Sequence, residues 1–149
     1  MILGPATVTL IDASNVAILA QAIVSPSAVG ELYHATCDLI IAPITPTGRT
    51  QFGDLTIPAW AAYAAQTITW LAPSSQTVGY TEMDGDSVSF ALPAGAVGQT
   101  IYGWAISDTS PRLASVGILV TPILINVTDT AVLVPAFAWE APVTEPTVN

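Results

Sequence analysis

Hydrophobic and polar residues alternate along most of this chain from about residue 32 onward. Thr, Val and Ile dominate the alternating runs, and Pro or Gly interrupts them repeatedly. Short runs of this kind are typical of β-strands, and about eight of them favour a mainly β fold, a two-sheet β-sandwich or jelly roll. The predicted strands are Tyr33–Pro43, Gln66–Leu71, Thr77–Glu82, Ser87–Leu92, Thr100–Ser107, Leu113–Leu119, Ile123–Thr128 and Ala131–Trp139.

The segment before these strands has a helical pattern instead. Its apolar residues follow the i, i+3, i+4, i+7 spacing of one helix face at Val16, Leu19, Ala20 and Ile23. Asp12 is a suitable N-cap, and Pro26 ends the pattern because the residue before a proline disfavours the α conformation. We therefore expect one short helix near residues 13–24.

The two ends of the chain differ from the middle. Residues 1–11 alternate as an extended arm, and residues 140–149 contain two prolines without any periodicity. The pattern predicts an N-terminal arm and short helix over 1–31, a β-sandwich domain over 32–139 and an extended tail over 140–149. Neither terminal arm has an evident partner within a compact domain, so we expect both to be ordered only by contact with other subunits.

One hairpin can be assigned a register from the pattern alone. A two-residue loop at Asp84-Gly85 would pair Tyr80 with Ser89 and divide the apolar residues between both faces. A three-residue loop at Met83-Asp84-Gly85, with the glycine left-handed, pairs Tyr80 with Val88 instead and Val78 with Phe90. The single apolar face that results favours the three-residue loop.

Aromatic residues suggest either a sugar-binding platform or a core. The chain has four tryptophans, Trp60, Trp70, Trp104 and Trp139. Around Trp104, strict alternation places Tyr102 and Ile106 on its face and Ile101 and Ala105 on the other. A strand that is apolar on both faces is covered on both, which favours core or subunit interface. The sequence allows two interpretations of residues 57–65. They form either one helical turn or a loop whose Trp60 and Tyr63 cover an edge of the core.

Charge is the strongest compositional feature. Arg49 and Arg112 are the only cations besides one histidine, against eleven acidic residues, so the net charge is -9 and only 9% of residues are charged. Ordinary soluble domains have about 25%. Nucleic acid and anionic membranes are therefore disfavoured partners. The longest apolar runs are shorter than the ~18 residues of a membrane-spanning helix. A surface so poor in charge suits a protein that packs against neighbours.

Catalytic chemistry has little support in this sequence. Cys37 is the only cysteine and His34 the only histidine. On a strand their three-residue offset does not bring them together, and no nucleophile motif accompanies the histidine. Cys37 is expected to be a small buried hydrophobe. We predict no enzymatic activity and no cofactor.

A cluster of three carboxylates is the one candidate metal site in the sequence. Glu82, Asp84 and Asp86 alternate as weak calcium ligands can, but Asp-Gly is a common turn pair, and no further run of ligands follows as it does in an EF-hand. We favour a solvated hairpin tip, without a metal.

The order of segments from Asp38 to Trp139 resembles a loose family of small phage-encoded virion proteins. The similarity lies in DLIIAPITPT, FGDLTIPAWAAYAAQTITW, GQTIYGWAISD and VTPILINVTDTAVLVPAFAWE, in that order. The resemblance implies a β-sandwich or jelly-roll module used as capsid cement or as a tail component. The N-terminal third departs from the pattern.

Two functions follow as hypotheses. The first is a capsid decoration or cement protein, a dimer or trimer on the outside of a phage head that binds the major capsid protein or other virion proteins. The alternative is a tail-fibre or adhesin module that recognises host glycans. Arg49 and Arg112 both follow turns, and we expect at least one of them to pair with a carboxylate of a neighbouring subunit through its planar guanidinium.

Overall fold

The computed structural model describes residues 1, 3–11, 35–69, 74–77, 80–107, 112–126, 132–134 and 137–142. Over these residues the chain is mainly β, as predicted, with two short 3₁₀ turns at Phe52–Asp54 and Ala94–Ala96 and no α-helix. The helix predicted near 13–24 lies outside the described residues. The strands are β1 Ala6–Leu10, β2 Thr36–Ile40, β3 Gln66–Thr67, β4 Ser74–Thr77, β5 Tyr80–Gly85, β6 Val88–Phe90, β7 Thr100–Ser107, β8 Leu113–Leu124, β9 Val132–Val134 and β10 Phe137–Pro142.

Five strands form the main sheet, in the order β1-β8-β7-β2-β3, with every neighbouring pair antiparallel. The central strand β7 has the bounds predicted from the sequence. Its side chains are buried on both faces, as its two apolar sides indicated, apart from partial exposure at Thr100 and Tyr102. Smaller ladders are the three-stranded β10-β5-β4 and the two-stranded β6-β9.

The core occupies both faces of the main sheet. Successive residues of a strand enter different clusters: Leu39 belongs to one and Ile40 to the other. The larger cluster also holds Val88 and Phe90 of β6, so this strand packs on that face of the sheet. The opposite face is covered by partly buried residues of the segment after β2, namely Ile44, Phe52 and Leu55.

The predicted hairpin at Met83-Asp84-Gly85 is wrong. These residues lie within β5, which pairs with β4 on one side and β10 on the other, while β6 pairs with β9. Gly85 lies opposite Phe137, and Val88 lies opposite Val134. Alternation shows which residues share a face, but it does not identify the strand that pairs with them.

β8 runs through Thr121-Pro122, where the sequence predicted a break between two strands, and it ends at Leu124. Residues 125 and 126 of the second predicted strand lie outside β8, and the rest of that predicted strand is outside the described residues. The register of β8 against β7 shifts between Ile118, opposite Gly103, and Ile123, opposite Ile101, so β8 has extra residues there. Pro122, which has no N–H to donate, falls in this irregular stretch and is exposed.

The same shift changes which residues share a face in β7. Ile101 lies in one core cluster with Trp104 and Ile106, whereas Tyr102 packs with Ala105 on the other side. The prediction that Tyr102 shares a face with Trp104 is therefore wrong. A register irregularity interrupts the strict alternation on which that prediction depended.

Within residues 1–11, Ala6–Leu10 form an extended strand, as predicted, but this segment is not an unpartnered arm. β1 pairs with β8 over its full length, from Ala6 opposite Leu119 to Leu10 opposite Ser115. Leu3 and Ile11 are buried in the two core clusters. The tail also contributes, because β10 extends to Pro142, and residues 143–149 lie outside the described part of the chain.

Candidate functional site

One side of the main sheet has an uncharged, partly apolar surface. We call it the neutral edge and define it as β1 together with β8. Neither strand contains an ionisable side chain. Three large apolar side chains are nevertheless exposed here: Val8 at 51%, Val120 at 70% and Leu124 at 50%. Because neither strand contains a charged side chain, a partner could cover these three side chains without leaving a charge of either strand unpaired.

β1 is the outermost strand of this edge. The backbone N–H of Val120 donates to the Pro5 carbonyl at 3.0 Å, and the N–H of Ile11 donates to the Ala114 carbonyl at 3.2 Å. These bonds show that residues 5 and 11, and by alternation 7 and 9, direct their backbone groups toward β8. Ala6, Val8 and Leu10 therefore direct theirs away from it. Among the described residues, no strand pairs with β1 on that outer side.

A glycine brings the core close to this edge. Leu39, Trp104, Gly117 and Val8 form one row across four strands, each opposite the next. A Cβ atom on Gly117 would collide with the indole of Trp104, so the ring lies directly against the backbone of β8. Trp104 is 9% exposed and belongs to the core, not to a sugar-binding platform.

Asp38 in β2 is a buried acidic side chain, 5% exposed. The Tyr63 hydroxyl donates to its Oδ1 at 2.9 Å and accepts the N–H of Leu39 at 2.9 Å. Burial raises the pKa of Asp38, and the hydrogen bond from Tyr63 opposes that rise. Burial also raises the pKa of Tyr63, so the phenol keeps its proton and acts as a donor.

An aromatic stack holds Tyr63 in place. Its ring is parallel to that of Phe90 at 5.9 Å and meets Trp60 edge-on at 5.5 Å. Residues 57–65 are thus a loop, and Trp60 and Tyr63 cover the core, as the second of the two sequence-based alternatives has it. Ala62 between them adopts a left-handed backbone with φ of 62°. The buried indole N–H of Trp60 has no acceptor among the described residues.

The thiol beside this aromatic and carboxyl arrangement is not activated. Cys37, next to Asp38, is buried as expected, and burial raises the pKa of its thiol, so it stays protonated. His34 lies outside the described residues. The pair of Tyr63 and Asp38 fixes the loop to β2 by satisfying a buried carboxylate and a strand N–H together.

The two arginines lie on separate segments. Arg49 is exposed in a turn in which the N–H of Thr50 donates to the Thr47 carbonyl at 3.1 Å. Arg112 is exposed immediately before β8. Arg49 lies in a turn, as the sequence indicated, whereas the predicted turn before Arg112 lies outside the described residues. The predicted contacts of both arginines with other subunits remain predictions.

The acidic cluster is not a hairpin tip. Glu82 and Asp84 lie in β5, and exposed Asp86 follows it, with its N–H donating to the Thr69 carbonyl. In the part of the chain that the structure describes, no three His, Cys, Asp or Glu side chains are grouped to hold a metal ion. Of the remaining tryptophans, Trp139 lies in β10 opposite Met83, and Trp70 is outside the described residues.

Across the described ranges no helix has the length and apolar character needed to cross a membrane. In comparisons with known proteins, the chain matches no family model, no curated protein and no solved structure.

Two features of this part of the molecule were not predicted from the sequence: the buried carboxyl of Asp38 and the neutral edge. Asp38 is the one charge in the apolar run from Cys37 to Ala42, and that isolation is a signal for a buried, partnered carboxyl. For the neutral edge, the signal was the absence of charge across both 1–11 and 113–126. Only the pairing of β1 with β8 joins these two distant segments into one surface.

Proposed function

We propose that this protein is a non-enzymatic structural component of a bacteriophage virion, a decoration or cement protein on the outside of the head. It binds the major capsid protein through surfaces without charge and stabilises the shell. The observation that carries this proposal is the neutral edge, which exposes Val8, Val120 and Leu124 on a chain of net charge -9.

The physical argument concerns how such a surface gains from assembly. Exposed apolar groups contribute to association when they are removed from water, at about 25 cal/mol per Å². Uncharged hydroxyl-bearing residues such as Thr7 and Thr9 can be buried at lower cost than carboxylates, provided that they find hydrogen-bond partners. A structural protein fixed permanently to its neighbours gains both from burying apolar groups and from the lower cost of burying uncharged hydroxyl groups.

The ordered segments from Asp38 to Trp139 that resemble small virion proteins support the same proposal. Several of them coincide with structural units: DLIIA continues β2, IYGWAIS lies in β7, and the segment after Pro58 is the aromatic loop over the core. We further propose that the smaller ladders form the second layer of a β-sandwich. The packing of Val88 and Phe90 on one face of the main sheet supports it.

The glycan-binding alternative has less support. A sugar platform needs exposed aromatic faces. Trp104 is in the core, and Trp60 contacts Tyr63 and packs against the same cluster.

The test compares phage particles made with and without this protein. Negative-stain images should show added density on the outside of heads that carry it, and those heads should resist osmotic shock better. Density on tails, or no density on either part, would contradict the proposal. Separately, Arg49→Ala and Arg112→Ala variants should lower occupancy on particles if either guanidinium pairs across a subunit boundary. Full occupancy of both variants would reject that role for the arginines.

A further inference from the structure

We propose that two copies of this chain associate through β1, antiparallel and across a two-fold axis, so that their main sheets join into one continuous sheet. This proposal specifies how the homo-oligomer of the proposed function would form. It rests on the proposed function only for the assumption that the dimer acts on a phage particle. Its physical basis is the outer side of the neutral edge.

The first argument comes from the backbone. Ala6, Val8 and Leu10 direct their N–H and C=O groups away from β8, as the bonds at Pro5 and Ile11 establish. An antiparallel partner strand pairs with these same three residues when Val8 of each copy lies opposite Val8 of the other. That register gives about six backbone hydrogen bonds and uses every outward group of the strand.

The second argument is that β1 is self-complementary in this register. Val8 is at the centre of Ala6–Leu10, with Thr7 and Thr9 on either side. Antiparallel pairing about Val8 therefore brings Thr7 of one copy opposite Thr9 of the other, and Ala6 opposite Leu10. Thr–Thr and apolar cross-strand pairs both stabilise antiparallel ladders. A surface that matches itself under a two-fold rotation is what an isologous dimer requires.

The third argument identifies the occupant as a second copy. Two chains of net charge -9 repel each other, and any face that brings carboxylates together adds to that repulsion. The neutral edge has no carboxylate, and the nearest strand beyond it, β7, has none either. Natural edge strands avoid such pairing with lysine, proline or a bulge, and β1 has none of these within Ala6–Leu10.

The main test places a charge on the proposed axis. Val8→Lys puts two ammonium groups opposite each other, whereas Val97→Lys changes an exposed valine (42% exposed) off the edge and alters the net charge equally. We expect sedimentation equilibrium to give a dimer for the native chain and for Val97→Lys. Val8→Lys should raise the dimer dissociation constant about tenfold or more. A monomeric native chain, or equal dimerisation of both variants, would overturn the proposal.

A second pair of variants tests the register. Val8→Cys should form an intermolecular disulfide under mild oxidation, because the Cα atoms of directly opposed residues are about 5.5 Å apart. Val97→Cys is the matched control and should remain largely uncrosslinked, with Cys37 buried in both proteins. Equal crosslinking of the two would reject pairing about Val8.

Hydrogen exchange separates a second copy from other occupants of the edge. The amides of Ala6, Val8 and Leu10 should exchange quickly in dilute monomer and slowly in the dimer. Protection that persists in the monomer would mean that the chain covers its own edge, and it would overturn the proposal. If the dimer behaves as expected but phage heads carry no added density, the proposed function fails and the pairing stands.

Discussion

At the level of single residues, Gly117 is a position where a small change has a large expected effect. The indole of Trp104 occupies the space that a Cβ atom would need. We expect Gly117→Ala to lower the free energy of unfolding by about 1–3 kcal/mol, the usual cost of overpacking a close contact. Gly53→Ala is the control, because nothing lies within 4 Å of its added Cβ. Urea unfolding of both variants measures the difference, and equal stabilities would show that Trp104 can move at little cost.

Tyr63 has two hydrogen-bonding tasks that its ring alone cannot perform. Tyr63→Phe keeps the stacking on Phe90 but leaves Asp38 without its donor and the Leu39 N–H without its acceptor. Leaving buried polar groups unpaired costs about 1–3 kcal/mol. Urea unfolding at neutral pH should show a loss of this size. A loss within about 0.5 kcal/mol would mean that water replaces the hydroxyl.

Asp38 should make stability depend on pH in the direction opposite to an ion-paired carboxylate. Its folded pKa lies above the ordinary value of 3.8, because burial disfavours the charged form. The folded chain therefore holds this proton more tightly, and the stability present at low pH is lost as pH rises through the folded pKa. Asp38→Asn removes the titration while keeping an oxygen for the Tyr63 hydroxyl.

The measurement for Asp38 is the difference in unfolding free energy between the Asn variant and the native chain from about pH 3.5 to pH 7. This difference should shift in favour of the variant as pH rises, and the other carboxylates largely cancel because both proteins contain them. A constant difference would show that Asp38 has the same pKa in the folded and unfolded chains.

At the level of elements, the N-terminal strand should be required for a stable domain. Deleting residues 1–11 removes β1 from the sheet and two buried side chains, Leu3 and Ile11. Each such burial contributes about 1.5–3 kcal/mol. We expect the truncated chain to lose more than about 3 kcal/mol in urea unfolding. A truncated chain as stable as the full one would mean that β1 adds nothing to the fold on its own.

Strand bounds could be predicted where a local sequence signal determines them. They were mispredicted where they depend on pairing with a strand that is distant along the chain. β7 has its predicted bounds because its apolar residues are continuous and turn-forming residue types flank it in the sequence. The bounds of β5 and its partners were not predictable, since its neighbour β10 lies more than fifty residues away along the chain. Likewise, alternation predicted an extended segment over residues 1–11, but it could not show that β8 pairs with this segment.

The same limit applies to the candidate surfaces. The scarcity of charge was visible in the composition, yet its concentration along β1 and β8 depends on a pairing between residues more than a hundred positions apart. Tyr63 and Asp38 are separated by 25 positions and meet only because the loop folds back over β2. The register shift near Pro122 accompanies a change in which Ile101, and not Tyr102, lies on the same face of β7 as Trp104, and no local pattern encodes that shift.

At the level of the whole molecule, the net charge determines how salt affects the contacts between copies. With only Arg49 and Arg112 available as cations, ion pairs across an interface are few, while eleven carboxylates make two copies repel. Salt shortens the screening length from about 30 Å at 0.01 M to about 10 Å at 0.1 M. Screening therefore weakens repulsion between copies more than it weakens any attraction.

We accordingly expect occupancy on particles to remain nearly constant from about 0.05 to 0.5 M sodium chloride, and dimerisation of the purified chain to become tighter over the same range. Apolar contacts and backbone hydrogen bonds do not lose strength at these salt concentrations, so no release is expected. Particle pelleting measures the first quantity and sedimentation equilibrium the second. Release of the protein by moderate salt would instead assign the contact to acidic side chains meeting a basic patch on the capsid. Weaker dimerisation in salt would likewise replace the pairing of β1 strands with an ion pair that involves one of the arginines.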